Sequence, residues 1–163
     1  MSVAADSGPL ISLASISLLD ILHSLFDIIH IPNIVYHEIV IAGKGKIGSE
    51  EVADAAWIER RAVKNKSAVG RFMRDEGLDK GESEAVVLAK EMNTRLLLVD
   101  DRSARNCAGR QKIPVMGTCG VLLLAKENRL IPAVREPLDN LLRVGFYLSS
   151  ANYRRIIRLA QED

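Results

Sequence analysis

Cysteine is scarce. Cys107 and Cys119 are the two in a chain of 163 residues, and they form no CxxC pair. Neither has a histidine nearby at metal-ligand spacing, which excludes a disulfide framework and a zinc ribbon and fits a reducing cytosol. Both read as small packing residues. Histidine is nearly as thin: His23, His30 and His37 make no HExxH and no paired ligand spacing, so they read as structural or exposed. Aromatic residues are 4% of the chain, and Trp57 with the three tyrosines forms no ladder on which bases would stack. An excess of charge of one sign is missing too. Lys and Arg number 22 against 21 Asp and Glu, so affinity for a polyanion has to come from a local patch. No long hydrophobic run exists, because Leu10 to Phe26 is interrupted by serines, Asp20 and His23, and no basic segment precedes it. Neither a signal peptide nor a membrane span is expected, and the protein is predicted to be cytoplasmic.

What is present is enough apolar material, 48% of the residues, to bury a real core. One domain over 1–163 is expected, with C-terminal helices from about 134 onward. Val3-Ala4-Ala5 reads as a short strand, and Pro9 suits the start of a helix running to about Phe26. Asp27 to Ile31 predicts a strand closed by Pro32, with Asn33 as N-cap of a helix from Ile34 to Ala42. Ser49 opens a helix through Trp57, a strand from Ile58 to Val63 follows, and residues 64–76 form a basic amphipathic helix. Asp79 and Glu82 match a capping pattern for the next helix. Arg95 to Val99 is a strand whose four uninterrupted apolar residues predict burial on both faces. Ile113 to Met116 is a further strand, followed by helices at 118–128, about 134–144 and 150–161. This alternation predicts an α/β fold, three-layer α/β/α with a mostly parallel sheet. Gly43 to Gly48 spells GxGxxG, but it follows a helix instead of a strand and lacks the GK[ST] ending, so it is not read as a phosphate loop.

The carboxylates carry the chemistry. Asp6 and the pair Asp100 and Asp101 fall at the C-terminal ends of strands, the edge where open parallel sheets bind ligands. Glu38 lies four residues after Ile34 and three after Val35, and Glu84 lies three and four before Val87 and Leu88, so each is predicted on an apolar helix face. Asp6, Glu38, Glu84 and Asp101 could thus converge, with Asp100 and Glu82 close by. Gathered carboxylates repel and raise one another's proton affinity, and a divalent cation removes the conflict. Oxygen donors alone suit Mg²⁺ or Mn²⁺, which polarise a phosphodiester and lower the pKa of bound water. The structural alternative has Asp6 capping the helix after Pro9, Asp100 or Asp101 capping one that starts near Arg102, and salt bridges to Arg102 or Arg105 balancing the glutamates.

The ordered set Asp6-Ser7, Glu38 in I-V-Y-H-E-I-V, Glu84 in G-E-S-E-A-V-V-L-A and Asp101 in V-D-D resembles the PIN-domain ribonucleases over nearly the whole chain. Leu78 to Ala85 and Gly117 to Leu122 are similar to motifs of a small prokaryotic branch, the PIN-like nucleic-acid-binding proteins. Two positions depart from the pattern: Glu84 stands where Asp is commoner, and Val99 where Thr or Ser is usual. The resemblance implies a PIN-like fold and a metal-dependent endoribonuclease, with Asp6, Glu38, Glu84 and Asp101 catalytic and Asp6, Glu84, Asp101 and Asp100 around Mg²⁺ or Mn²⁺. It places Ser7, Arg102, Ser103 and Arg105 beside the RNA substrate. Many such proteins are toxins restrained by a small antitoxin whose tail puts a basic side chain into the acidic pocket, and homodimers are common, so both partners are implied. A catalytically weak PIN fold serving as a nucleic-acid-binding or regulatory module is the alternative, motivated by Val99 and the near-neutral charge. Leu138, Leu141 and Leu142, and Tyr153, Ile156, Ile157 and Ala160, repeat at helical spacing and are expected to dock on the chain itself or on a second copy.

Overall fold

Strands β1 (Val3–Ala5), β2 (Ile29–Pro32), β3 (Ile58–Arg61), β4 (Leu96–Leu98) and β5 (Val115–Met116) form one sheet in the order β3-β2-β1-β4-β5. Every pairing is parallel. The computed structural model that shows this describes residues 2–163; Met1, the first residue of the expected domain, lies outside them. β1 sits in the middle because it is small and apolar enough to be covered on both sides: Val3, Ala4 and Ala5 are all buried. Side chains alternate between the faces. Val3, Ala5 and Leu98 join one core, while Ala4, Leu97 and Val99 join the other.

The helices divide accordingly into two outer layers. α1 (Ser7–Ser15), α2 (Ile21–Phe26), α8 (Thr118–Glu127), α9 (Arg135–Arg143) and α10 (Ser150–Leu159) cover the first face. α5 (Lys66–Glu76), α6 (Lys80–Glu91) and α7 (Arg102–Arg110) cover the second. The expected three-layer α/β/α architecture is present, and its sheet is wholly parallel. Leu138, Leu141, Ile156, Ile157 and Ala160 are buried in the first core, so the apolar faces of the last two helices dock on their own chain.

Several local boundaries differ from the sequence expectation. The first long helix is broken between α1 and α2, where Ser17 adopts a φ of 60° and the chain turns. Asn33 is the first residue of α3 (Asn33–Tyr36) and makes no capping bond; Pro32 occupies the cap position. α3 then widens into a π-turn over His37–Ile41, so the expected regular helix to Ala42 does not form. That turn keeps Val35 and Ile39 on the buried face and leaves Glu38 exposed, which corrects its predicted place on the apolar face. α4 (Ser49–Asp54) stops short of Trp57, and β3 stops at Arg61. The Gly43–Gly48 segment is a turn after the π-turn, with Gly45 and Gly48 at φ 84° and 95°.

Candidate active site

The sheet order creates a switch point between β1 and β4: from β1 the chain proceeds outward through β2 and β3, and from β4 outward through β5. The crevice at the carboxyl ends of these two central strands is the favoured ligand position in such sheets. Asp6 and Asp101 flank it. The Asp6 backbone N–H donates to the Leu98 carbonyl at 2.9 Å, extending the β1–β4 ladder by one residue and fixing where the side chain departs.

Asp6 stands at the cap position of α1, yet its side chain makes no capping bond. It is 6% exposed. Burial pushes its carboxyl up to about 7; a hydrogen bond from the Ser7 N–H pulls the other way, and the charges of Asp79, Glu38 and Asp101 raise it further. Asp101 does cap, accepting from the Ala104 N–H at 2.9 Å. Its structural role and its place in the cluster coexist, because a carboxylate has lone pairs to spare after one such bond.

Asp79 and Glu82 complete the capping box that the sequence predicts for α6: Asp79 accepts from the Glu82 N–H at 2.7 Å, and Glu82 accepts from the Asp79 N–H at 3.2 Å. The same two side chains belong to the acidic cluster. Partial burial pushes Glu82 up to about 8, helped by side-chain hydrogen bonds with Asp79 and Asp101. Sequence reasoning assigned Asp79 to capping alone and Glu82 to a neighbouring position. The available signal was their spacing, which puts both at the end of the helix that carries Glu84.

Glu38 meets the cluster from the π-turn. Glu38 is exposed as a residue, and partial desolvation of its carboxylate raises its proton affinity first, then the charges of Asp79 and Glu84, with His37 acting in the opposite direction. Glu84 lies one turn further into α6, is 5% exposed, and has Lys66 Nζ at 3.5 Å from its Oε1. Its cation is therefore Lys66, in place of the expected Arg102 or Arg105, and it reaches the cluster through Glu38.

Asp100 is engaged differently. Its two oxygens accept from the Thr118 N–H at 2.7 Å and the Thr118 hydroxyl at 2.6 Å, tying the end of β4 to the first turn of α8. A Cβ added at Gly117 would lie 2.8 Å from Asp100 Oδ1 and 3.1 Å from Arg105 Nη1, so these two side chains close around that glycine. Arg102 and Ser103 occupy the exposed first turn of α7, and Ser7 is the half-buried first residue of α1.

The end of β1, the π-turn, the start of α6 and the start of α7 thus bring Asp6 within reach of the charges of Glu38, Asp79 and Asp101, and Glu82 within reach of Asp79 and Asp101. Among the described residues, no three Asp, Glu, His or Cys side chains are already grouped as a metal cage. Burial foremost, with the converging acidic groups adding to it, raises the proton affinity of Asp6 and Glu82. Oxygen donors of this kind suit a hard divalent cation, which would take the place of protons bound there.

Residues 2–162 match a family model described as PIN domain. No curated protein matches the chain. Among the described residues, no helix is long and apolar enough to cross a membrane. PIN domains are in general nucleases acting on nucleic acid, so the fold is of nuclease type. With a match over all but the first and last residue and a parallel sheet that gathers acidic side chains at its switch point, the chain belongs to the PIN-domain family.

Proposed function

We propose that the protein is a metal-dependent endoribonuclease that hydrolyses RNA phosphodiester bonds at the acidic cluster. One observation carries this reading: Asp6 is buried without a capping bond and faces the charges of Asp79, Glu38 and Asp101, so that burial first and those charges after it raise its carboxyl to about 7. A fold stabilised only by caps has no reason to build that repulsion. Asp6, Asp79, Glu82 and Asp101 would hold Mg²⁺ or Mn²⁺, with Glu38 at the rim and Glu84 behind it. When bound, the ion supplies Lewis acidity toward a phosphoryl oxygen.

The chain's own residues supply the rest. Glu38, exposed and with a raised proton affinity, would accept a proton from the water as the water oxygen bonds to phosphorus, and the leaving oxygen would take a proton from solvent as its bond to phosphorus breaks. Arg102 and Arg105 would hold phosphate oxygens, with Ser7 and Ser103 as hydrogen-bonding partners. Val99 is fully buried in the core beneath α6 and α7, one residue before Asp100. On this reading the cluster is also where the basic side chain of a small antitoxin would enter, which would make the protein a cytoplasmic toxin, and a second copy would pair away from the cluster.

The test is cleavage of labelled single-stranded RNA in Mn²⁺. Cleavage that disappears in EDTA and in Asp6→Asn is expected. Tight RNA binding without metal-dependent cleavage would instead identify a binding module.

A further inference from the structure

The chain has almost no net charge, so a polyanion needs a local cationic wall, and one lies beside the acidic cluster. A cleft of about 400 Å³ is lined by Tyr36, His37, Arg60, Lys66, Lys80 and Glu84. That volume falls within the usual range of small-ligand sites, about 300–1,000 Å³. Its three cations face one carboxylate, and Lys66 already matches that carboxylate, leaving Arg60 and Lys80 in excess.

The position relative to the cluster follows from strand register. His30 is level with Ala4 on one side and Glu59 on the other, and Ile31 is level with Arg60. Arg60 therefore stands level with Ala5, the residue before Asp6, two strands away. Two strand spacings amount to about 10 Å. Cleft and cluster also share a wall: Glu84 lines the cleft while its charge acts on Glu38, and His37 adjoins Glu38 in sequence.

The chemistry of the wall is specific. The Arg60 guanidinium lies 4.2 Å from the centroid of the Tyr36 ring, a cation–π contact that fixes the orientation of the planar fork. A guanidinium held that way matches two phosphate oxygens at once. Charges on an edge strand such as β3 also deter strand pairing, which alone would account for Arg61 and Glu59. It does not account for an arginine stacked on an aromatic ring inside a cleft.

We propose that this cleft binds the nucleotide next to the scissile phosphate of a single-stranded RNA, Arg60 and Lys80 holding its phosphate while Tyr36 orients the Arg60 guanidinium. The assignment rests on the nuclease reading for which phosphate is scissile. Binding is measured separately from cleavage: fluorescence anisotropy of a short labelled single-stranded RNA, over a series of salt concentrations, in an Asp6→Asn background that cannot cut.

Arg60→Ala should weaken binding about tenfold and lower the slope of log Kd against log salt by about 0.7, the value for one lost phosphate contact on a single strand. Arg60→Lys should restore the slope without restoring full affinity. Tyr36→Leu, which frees the Arg60 guanidinium while leaving its charge, should weaken binding about threefold to fivefold with the slope unchanged. Arg154→Ala, at an exposed position of α10, should do neither. Each variant is checked for an unchanged melting temperature, and Lys80→Ala repeats the slope measurement should Arg60→Ala fail to fold. An Arg60→Ala result equal to that of Arg154→Ala, or no binding by the Asp6→Asn parent, overturns the proposal. Cleavage by the wild type with KM unmoved by Arg60→Ala would sink the cleft alone, whereas RNA binding of the expected kind without cleavage would sink the nuclease reading alone.

Discussion

The carboxylate of Glu38 rests over the bare backbone of Gly81: a Cβ added there would lie 2.9 Å from Oε2 and 3.0 Å from Oε1. The contact joins the π-turn to the first turn of α6. Alanine is the better helix former by roughly 0.5–1 kcal/mol, and the obstructed atoms are the far end of a flexible side chain. Gly81→Ala should therefore leave stability equal or slightly raised while moving Glu38 off its position. Cleavage of RNA in Mn²⁺ is expected to fall roughly tenfold to a hundredfold, the scale of a displaced reacting group. Thermal melting and initial rates on the purified variant check both halves; wild-type rates would show that the position of Glu38 does not matter.

Metal-free protein should lose stability as the pH rises through neutrality. Asp6 has a folded value of about 7 against an ordinary 3.8, so between these limits the folded state holds more protons than the unfolded one. Its contribution is complete below the lower value and is lost as pH climbs through the upper, with a slope of up to about 1.4 kcal/mol per pH unit. Glu82 acts in the same direction up to about 8. In EDTA, wild-type melting temperature should therefore drop between about pH 5 and about pH 8, and Asp6→Asn should drop less. Millimolar Mn²⁺ should raise the wild type at the upper pH by mass action and leave Asp6→Asn nearly unmoved. A pH-independent, metal-independent wild type would show that these carboxylates serve only the fold.

The Glu162 carboxylate helps fasten the C-terminal end. Glu162 accepts from the Val134 N–H at 2.7 Å, the Arg135 N–H at 3.0 Å and Lys126 Nζ at 3.0 Å, gathering α8, the start of α9 and the end of α10. Burial pushes its pKa up, but the bonds from Val134, Lys126 and Arg135 outweigh this and hold it below the ordinary value. Its contribution is thus present above about pH 4.5 and lost as pH falls below that. Glu162→Ala should cost about 1–3 kcal/mol, the scale of buried donors left unpaired. Urea unfolding at neutral pH measures it, and the deficit should shrink in acid. An unchanged midpoint would mean water replaces the carboxylate without penalty.

The strands were legible because each is a short apolar run ending at a turn residue or a charge, and a centre strand needs nothing more. Asp6 and Asp101 were legible for the same reason. The π-turn was not, since its i→i+5 bonds use residues whose spacing also fits an ordinary helix through Ala42. Asp79 was hidden by its own adequacy: a cap satisfies local chemistry, and only the distant Asp6 and Asp101 reveal a second role. Lys66, the cation opposite Glu84, belongs to another helix and was read only as part of a basic face. Pairings of that kind depend on which elements meet across the sheet, and helical periodicity along one segment does not contain them.

The central strand is also the first one made. Val3 is registered against Ile29 on one side and Leu96 on the other, so during synthesis β1 can find its first neighbour early but must wait for most of the chain before meeting the second. Contacts of such long sequence separation form late. Asp6 consequently has no Asp101 to face on a partly synthesised chain, and α6, which brings Asp79 and Glu82, also emerges well after β1. A growing polypeptide therefore carries no assembled acidic cluster until most of its length has left the ribosomal exit tunnel.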